Sequence, residues 1–335
     1  MERIIETVHG RFVIRLYQAE DEKGVLSLWK AAFDKEMTLR LWRWKYLEDP
    51  YGHQIILCVS DTGVPVAIYS GIPYRANWRG ETVRFTHLMD NSSHPAYRSA
   101  LSGRTGLFVR TANAFYDHYG RPHALLFTYG FPGKRHFMLG EKLFKYRAFP
   151  DGVSFMVAST ADLPRKIVPF YGKIERVMTI DSSFDHLWEA CRCDYPLSVI
   201  RDAAFVGWRF MDHPEREYEL WGYRSYLKKE WKAYAVFSAE DKKIRLIDML
   251  APSSSRLVCD FLGRMGAEFA NRGIEMMETW FPAGHFLSKY AVSAGFVPFP
   301  EPLGIIPTAR IFDHSPPFSW MAENIFFTMA DGDLF

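Results

Sequence analysis

Trp44-Lys45-Tyr46-Leu47-Glu48-Asp49-Pro50 returns 164 residues later as Trp208-Arg209-Phe210-Met211-Asp212-His213-Pro214, with the tryptophan and the proline identical. A period of this length within 335 residues marks a duplicated unit and decides how the rest is read. Further matches keep the same order. Ala67-Ile68-Tyr69-Ser70 answers to Ala235-Val236-Phe237-Ser238, and Leu88-Met89-Asp90 to Leu246-Ile247-Asp248. Phe131-Pro132 answers to Phe281-Pro282 and Phe149-Pro150 to Phe299-Pro300, both at an offset of 150. Five short matches in one order divide the chain into residues 1–155 and 156–335, in line with the two domains that its length allows.

Within the first copy the patterns give one coarse order. Phe12–Leu16 reads as a strand, followed by the acidic Glu20-Asp21-Glu22 of a helix N-terminus and a helix through Trp29. A second short helix, Leu39–Leu47, stops at Asp49-Pro50. Strands Ile55–Ser60 and Val66–Ile72 are joined by a turn at Asp61-Thr62-Gly63, and a hairpin through Asn77–Gly80 leads into Thr82–Asp90. Phe108, Ala112, Phe115 and Tyr119 form the apolar stripe of a helix lying on a sheet. Strand Ala124–Tyr129, helix Phe137–Phe144 and a last strand near Tyr146–Phe149 close the copy. The class is α+β. In the second copy, Ile325–Ala330 reads as a final strand that pairs across copies.

Composition excludes several classes. Hydrophobic residues at 48% and charged residues at 24% belong to a globular protein, not to a disordered or collagen-like chain. Cys58, Cys191, Cys193 and Cys259 are too few for a disulfide framework, and the Cys191-Arg192-Cys193 pair lacks a second pair at zinc spacing, so neither a metal nor an oxidising compartment is expected. No apolar h-region and no membrane-length apolar run stand out, and the expectation is a soluble cytoplasmic protein without a membrane partner. Net charge of +2 argues against nucleic acid, but it is unevenly spread. Residues 1–150 carry 21 Lys and Arg against 14 Asp and Glu, a balance of +7, and the remainder carries 20 against 25, a balance of −5. An anionic ligand belongs with the first copy.

The copies differ most in one loop. Asp90 to Phe131 spans 41 residues and Asp248 to Phe281 only 33. The extra residues fall in Tyr97-Arg98-Ser99-Ala100-Leu101-Ser102-Gly103-Arg104-Thr105-Gly106-Leu107-Phe108, a Gly- and Arg-containing turn opening a helix, whose backbone N–H groups suit a phosphate or pyrophosphate. The second copy offers only Ala251-Pro252-Ser253-Ser254-Ser255 there. With the opening strand and helix, Trp42-Arg43-Trp44-Lys45-Tyr46, Asp90 through His94-Pro95-Ala96-Tyr97-Arg98, Gly103–Phe108 and Phe131-Pro132, the chain resembles the GNAT (Gcn5-related) N-acetyltransferases in a tandem arrangement over nearly its whole length. The resemblance implies two GNAT-like domains, each a mixed, mostly antiparallel twisted sheet flanked by helices, the second degenerate. It also implies acetyl-CoA or another acyl-CoA as co-substrate. Asn91, Ser92 and Ser93 would face the pantetheine, and Arg98, Gly103, Arg104, Thr105 and Gly106 would surround the pyrophosphate. One departure stands out: Ser99–Ser102 lengthens the family's loop, and its glycines are spaced Gly-x-x-Gly.

Transfer of an acyl group to an amine needs a deprotonated amine, a polarised thioester and an acid for the leaving thiolate. By the same resemblance Tyr129, ending the fifth strand of the family's sheet, is the first candidate acid and Tyr146 the alternative. Asp90 is the candidate base or water-holding group. His87 lies three residues earlier, and strand alternation puts the two on opposite faces. Phosphate-loop NTPase, nucleophile-elbow and His-Glu-x-x-His zinc motifs do not occur. The expected activity is acyl-CoA-dependent N-acyltransfer without a covalent enzyme intermediate, to a small-molecule, sugar or peptide amine. A non-catalytic acyl-CoA sensor or scaffold and an aminoacyl-tRNA-dependent peptidyl transferase are the competing readings.

Overall fold

The structure is a computed structural model, described at residues 2–7, 10–97, 105–122, 124–163, 172–226, 230–314 and 316–335. The chain begins β1 (Glu2–Thr7), β2 (Gly10–Leu16), α1 (Glu22–Phe33), α2 (Leu39–Tyr46), β3 (Gln54–Ser60), β4 (Pro65–Trp78) and β5 (Glu81–Ser93), then α3 (Leu107–Tyr119), β6 (Phe127–Gly130), α4 (Lys134–Phe144) and β7 (Arg147–Ala148). It continues β8 (Ser154–Ser159), β9 (Lys173–Arg176), α5 (Ser183–Cys191), β10 (Leu197–Val199), α6 (Ala203–Val206), β11 (Glu219–Arg224), β12 (Trp231–Glu240), β13 (Lys243–Leu250) and α7 (Ser255–Asn271). Last come β14 (Met276–Phe281), α8 (Phe286–Ser293), β15 (Val297–Pro298), β16 (Thr308–Ile311), α9 (Phe318–Asn324) and β17 (Ile325–Phe326). Two compact units result. The first holds Met1–Arg75, Val83–Ala148 and Thr308–Ser315, and the second holds Ala76–Thr82, Phe149–Pro307 and Pro316–Phe335.

In the first unit the strand order is β1-β2-β3-β4-β5-β6-β16-β7. β5 and β6 run parallel, with α3 as the crossover that parallel neighbours require. All seven residues of β3 are buried, which its unbroken apolar run Ile55–Val59 reflects. Ile14, Ile56, Cys58 and Tyr69 from the strands meet Ala112, Phe115 and Tyr116 of α3 and Phe144 of α4 in one core. Each fully buried Phe or Ile there contributes about 1.5–3 kcal/mol. Local chemistry fixes the helices on the opposite face. Arg15 grips both oxygens of Asp21 at 2.6 and 2.7 Å ahead of α1, and Thr38 caps α2 by accepting from the Leu41 N–H at 3.0 Å.

The second unit repeats the plan in the order β15-β8-β14-β13-β12-β11-β9, again with one parallel neighbour pair, β13 and β14. α6 passes into a single π turn, Gly207–Met211, which carries the repeated Trp208-Arg209-Phe210. Alongside the sheet, β10 pairs parallel with β17 and antiparallel with Ala76–Trp78.

The α+β class and the repeated order follow the sequence reading, with several differences. β4 and β5 are longer than their apolar runs, β6 begins at Phe127, and β1 was not anticipated. The unit borders do not fall between residues 155 and 156. β8 spans that position within the second unit, while β16, from late in the chain, sits between β6 and β7. The run from Ile325 is a two-residue strand followed by a 3-10 turn at Met329–Asp331, and it pairs with β10 inside its own unit.

Candidate functional site

β5 and β6 are in register over Phe85–His87 against Phe127–Tyr129, with Phe85 and Phe127 stacked at 4.1 Å and His87 and Tyr129 stacked at 4.9 Å and 11°. β6 ends at Gly130, but β5 runs on to Ser93. Its other edge stays tied to β4. Ser70 Oγ donates to the Met89 carbonyl at 2.7 Å, the Ser70 N–H to Asn91 Oδ1 at 2.7 Å, and the His94 N–H to the Val66 carbonyl at 2.9 Å. Leu88–Ser93 is thus the stretch that β6 leaves.

Asp90 sits in this stretch with φ 57°, the left-handed region that side chains seldom adopt. The conformation resets the strand's alternation. Leu88 packs into the core under α3 and α4, whereas the Asp90 carboxylate meets α1 and α2 on the other face. His87, one residue before Leu88, faces the same way as Asp90. The expectation that His87 and Asp90 point to opposite faces assumed an unbroken period of two, and the bulge overturns it.

Asp90 Oδ2 accepts from Lys45 Nζ at 2.7 Å and from Tyr46 Oη at 2.8 Å, and Oδ1 lies 3.4 Å from Trp29 Nε1. Lys45 and Asp90 form an ion pair about nine-tenths buried at both ends. Tyr129 is buried, stacked on His87 and edge-on to Phe131 at 6.1 Å. Asp90 and Tyr129 are therefore brought to one face. Tyr146 is not with them. Its hydroxyl lies 2.6 Å from that of Tyr69 and 3.1 Å from that of Tyr116, in the core under α3 and α4, and burial pushes all three phenols above their ordinary range. Gly140 is required beside it, since a Cβ there would come within 2.0 Å of the Tyr146 ring.

Of the residues expected around the acyl donor, Asn91 uses its side-chain oxygen to hold the Ser70 N–H, and Ser93 ends β5 half-buried. Ser92 Oγ is buried without a hydrogen-bond partner among the described residues. Thr105 and Gly106 precede α3, where Arg110 Nε donates to the Thr105 carbonyl at 2.9 Å. Arg98, Gly103 and Arg104 lie outside the described residues. Sequence reasoning missed Lys45, Tyr46 and Trp29 as partners of Asp90. The signal was at hand, because Lys45 and Tyr46 belong to the repeated stretch itself.

Residues 13–135 match the family model of the acetyltransferase (GNAT) domain. No curated protein matches the sequence. Among solved structures, a probable N-acyltransferase from Enterococcus faecalis aligns with 90% of this chain and 73% of its own at 15% identity and a TM-score of 0.69. A GCN5-related N-acetyltransferase from Anabaena variabilis aligns with 90% of this chain and 73% of its own at 13% identity and a TM-score of 0.66. N-myristoyltransferase from Saccharomyces cerevisiae, with bound myristoyl-CoA, aligns with 92% of this chain and 79% of its own at 11% identity and a TM-score of 0.54. No helix among the described residues is long and apolar enough to cross a membrane. Residues 13–135 thus match the acetyltransferase (GNAT) domain, and nine-tenths of the chain shares its fold with solved GCN5-related N-acetyltransferases.

Proposed function

We propose that the first unit is an acyl-CoA-dependent N-acyltransferase, with acetyl-CoA as the first donor, and that the acyl group passes directly from thioester to amine. The observation that carries this reading is the parting of β5 from β6 beyond His87 and Tyr129, at the level of Asp90. The residues there suit an acyl-CoA. Ser92 Oγ is a buried hydroxyl lacking a partner among the described residues, as expected of a group set to meet a pantetheine amide. α3 starts from Gly106 and α4 from Gly133, neither capped by a side chain, so each helix offers first-turn N–H groups to an anion. Lys134 and Arg135 add positive charge at the start of α4. The family resemblance adds Arg98, Gly103 and Arg104 on the pyrophosphate.

In the reaction the amine nitrogen bonds to the thioester carbonyl carbon as the carbon–sulfur bond breaks. Asp90 Oδ2 is committed to Lys45 and Tyr46, so Oδ1 takes the amine proton. Tyr129 gives its phenolic proton to the departing thiolate, and solvent returns a proton from Asp90 to Tyr129. Tyr146, held by Tyr69 and Tyr116 in the core under the other face, has the weaker claim to the acid role. The second unit, with the short Ala251–Ser255 loop, is a degenerate copy.

The inserted Ser99–Ser102 favours one second reading, acyl-CoA binding without turnover. Titration calorimetry with acetyl-CoA and a thiol-release assay on an amine panel separate the two. Heat with thiol release supports transfer, heat without release supports a sensor, and no heat at high micromolar ligand with folded protein removes both.

A further inference from the structure

The second unit also parts its strands, and a segment of the same unit stands in the gap. β13 and β14 pair over Lys243–Leu246 against Met276–Thr279, after which β13 runs on to Leu250 and β14 to Phe281. Tyr195 lies between the two continuations. Its Oη donates to the Ala251 carbonyl at 2.7 Å and accepts the Ala251 N–H at 3.1 Å, just beyond β13. Its ring meets His285 at 5.2 Å and Phe286 at 5.6 Å, at the head of α8 beyond β14, and Phe326 edge-on at 4.7 Å. One hydroxyl thus takes both main-chain groups of a strand-end residue, groups that a ladder neighbour or a bound amide would otherwise take. Burial holds the phenol above its ordinary range, so it keeps the proton it donates. Burial also pushes His285 from 6.5 down to about 3, so the ring against Tyr195 is uncharged at neutral pH.

The preceding residue completes the occupation. Asp194 Oδ2 accepts the Ser253 N–H at 2.7 Å, next to Ser254, the N-cap of α7. A carboxylate there supplies the negative charge that a helix N-terminus favours. Asn77, in the same unit, clamps the segment by donating from Nδ2 to the carbonyls of Arg192 at 3.0 Å and of Tyr195 at 2.7 Å. The origin of the segment is visible in the repeat. Between its first two helices the first copy has only Asp34–Thr38, whereas the second has Arg192–Asp202. The copy with the shorter loop before α7 has the longer connection here.

We propose that Asp194-Tyr195 is an internal occupant of the second unit's gap, with the phenol in the place of a donor's amide and the carboxylate in the place of its phosphates, so that the chain binds one acyl donor and binds it in the first unit. By the Leu88-Met89-Asp90 match, Ala251 is the counterpart of Ser93. Ala251 is fully enclosed, whereas Ser93 is half-buried. The identity of the excluded ligand rests on the acyltransferase reading; the filling of the gap does not.

Hydrogen exchange of the full chain, with calorimetry for stoichiometry, tests the proposal. In the wild type, acetyl-CoA is expected to bind at one site per chain, to slow exchange at the start of α3 at least about fivefold and to leave Leu250–Val258 unchanged. Tyr195→Ala is expected to admit S-acetylpantetheine, which needs no phosphate loop, and to show slowing of at least about fivefold over Leu250–Val258. Tyr195→Phe keeps the ring and loses the hydroxyl, so it is expected to stay closed to that probe while the Ala251 amide exchanges at least about tenfold faster. A second acetyl-CoA site in the wild type, slowing over Leu250–Val258 there, or no slowing by S-acetylpantetheine in a Tyr195→Ala chain with native circular dichroism would overturn the proposal and leave the first unit's reading standing. Should Tyr195→Ala not fold, an unchanged Ala251 amide in Tyr195→Phe would overturn it. No heat and no slowing anywhere in the wild type would overturn the acyl-donor reading and this proposal with it.

Discussion

Asp49→Asn should make the protein more stable at neutral pH and leave it nearly unchanged in acid. Asp49 lies near the end of the repeated stretch after α2, where its Oδ1 accepts the Tyr51 N–H at 2.8 Å and its Oδ2 is buried without a hydrogen-bond partner among the described residues. Burial raises its pKa from 3.8 to about 6 against the pull of nearby backbone N–H groups. A rise of this size corresponds to roughly 3 kcal/mol once the pH exceeds both values. The sign follows from proton binding. The folded state holds this proton more tightly than the unfolded chain does, so the contribution is present below about pH 4 and lost as the pH rises through about 6. Asn keeps the Oδ1 acceptor and removes the charge, but it buries an amide donor in place of Oδ2, at a cost of about 1–2 kcal/mol. The net gain expected at pH 7.5 is about 1–2 kcal/mol, with none at pH 4.5. The repeat supports the reasoning: His213 stands at the same position, and its Nδ1 accepts the N–H groups of Glu215 and Arg216 at 3.2 and 3.1 Å. A side chain that can be neutral thus serves the same turn. Urea unfolding at the two pH values, followed by tryptophan fluorescence, measures the difference. A destabilised variant at pH 7.5, or an equal shift at both pH values, would refute the argument.

Arg201→Met should cost about 3–5 kcal/mol in the second unit by leaving the buried Asp248 and Asp331 without their cation, read as a lower urea midpoint. Gly140→Ala should destabilise by about 1–3 kcal/mol, although alanine favours helix, because the added methyl runs into the Tyr146 ring; a rise in thermal midpoint would contradict the packing. Tyr129→Phe and Asp90→Asn should each lower kcat/KM at least about tenfold while calorimetric affinity for acetyl-CoA stays within about threefold. Full activity in both variants would remove them from the mechanism.

How much of this was legible in the sequence depended on what carried the signal. Trp44/Trp208 and Phe131/Phe281 revealed the duplication because aromatic anchors and prolines mark fixed places in a fold, and the element order followed from hydrophobic period. The ends of β4 and β5 were hidden since tertiary pairing extends strands past their apolar runs. β16 was invisible, because a four-residue strand that completes a distant sheet carries no local pattern. The relation of Asp90 to His87 was misread for a related reason. A bulge changes alternation through one residue's φ, and aspartate is only mildly enriched in the left-handed region.

That same bulge explains why an aspartate recurs at this level in both copies. A strand that leaves its neighbour loses ladder hydrogen bonds along one edge, and turning a carboxylate back onto the helical face ties the freed stretch to a cation there. What differs is the source of the cation. In the second unit Arg201 reaches Asp248 from beside β10, Asp331 and Thr328 complete a sealed network, and Phe210 offers no hydroxyl. In the first unit the cation and a hydroxyl both come from α2, as Lys45 and Tyr46, and Asp90 Oδ1 is left with only the long contact to Trp29 among its described hydrogen bonds. Asp248 accepts from Arg201, Thr328 and, at 2.7 Å, Tyr234 Oη, so both of its oxygens are engaged in holding the strand. Asp90 holds its strand mainly through Oδ2, so the exchange of Tyr46 for Phe210, with the network that replaces it, is the main difference between the two carboxylates among the described residues.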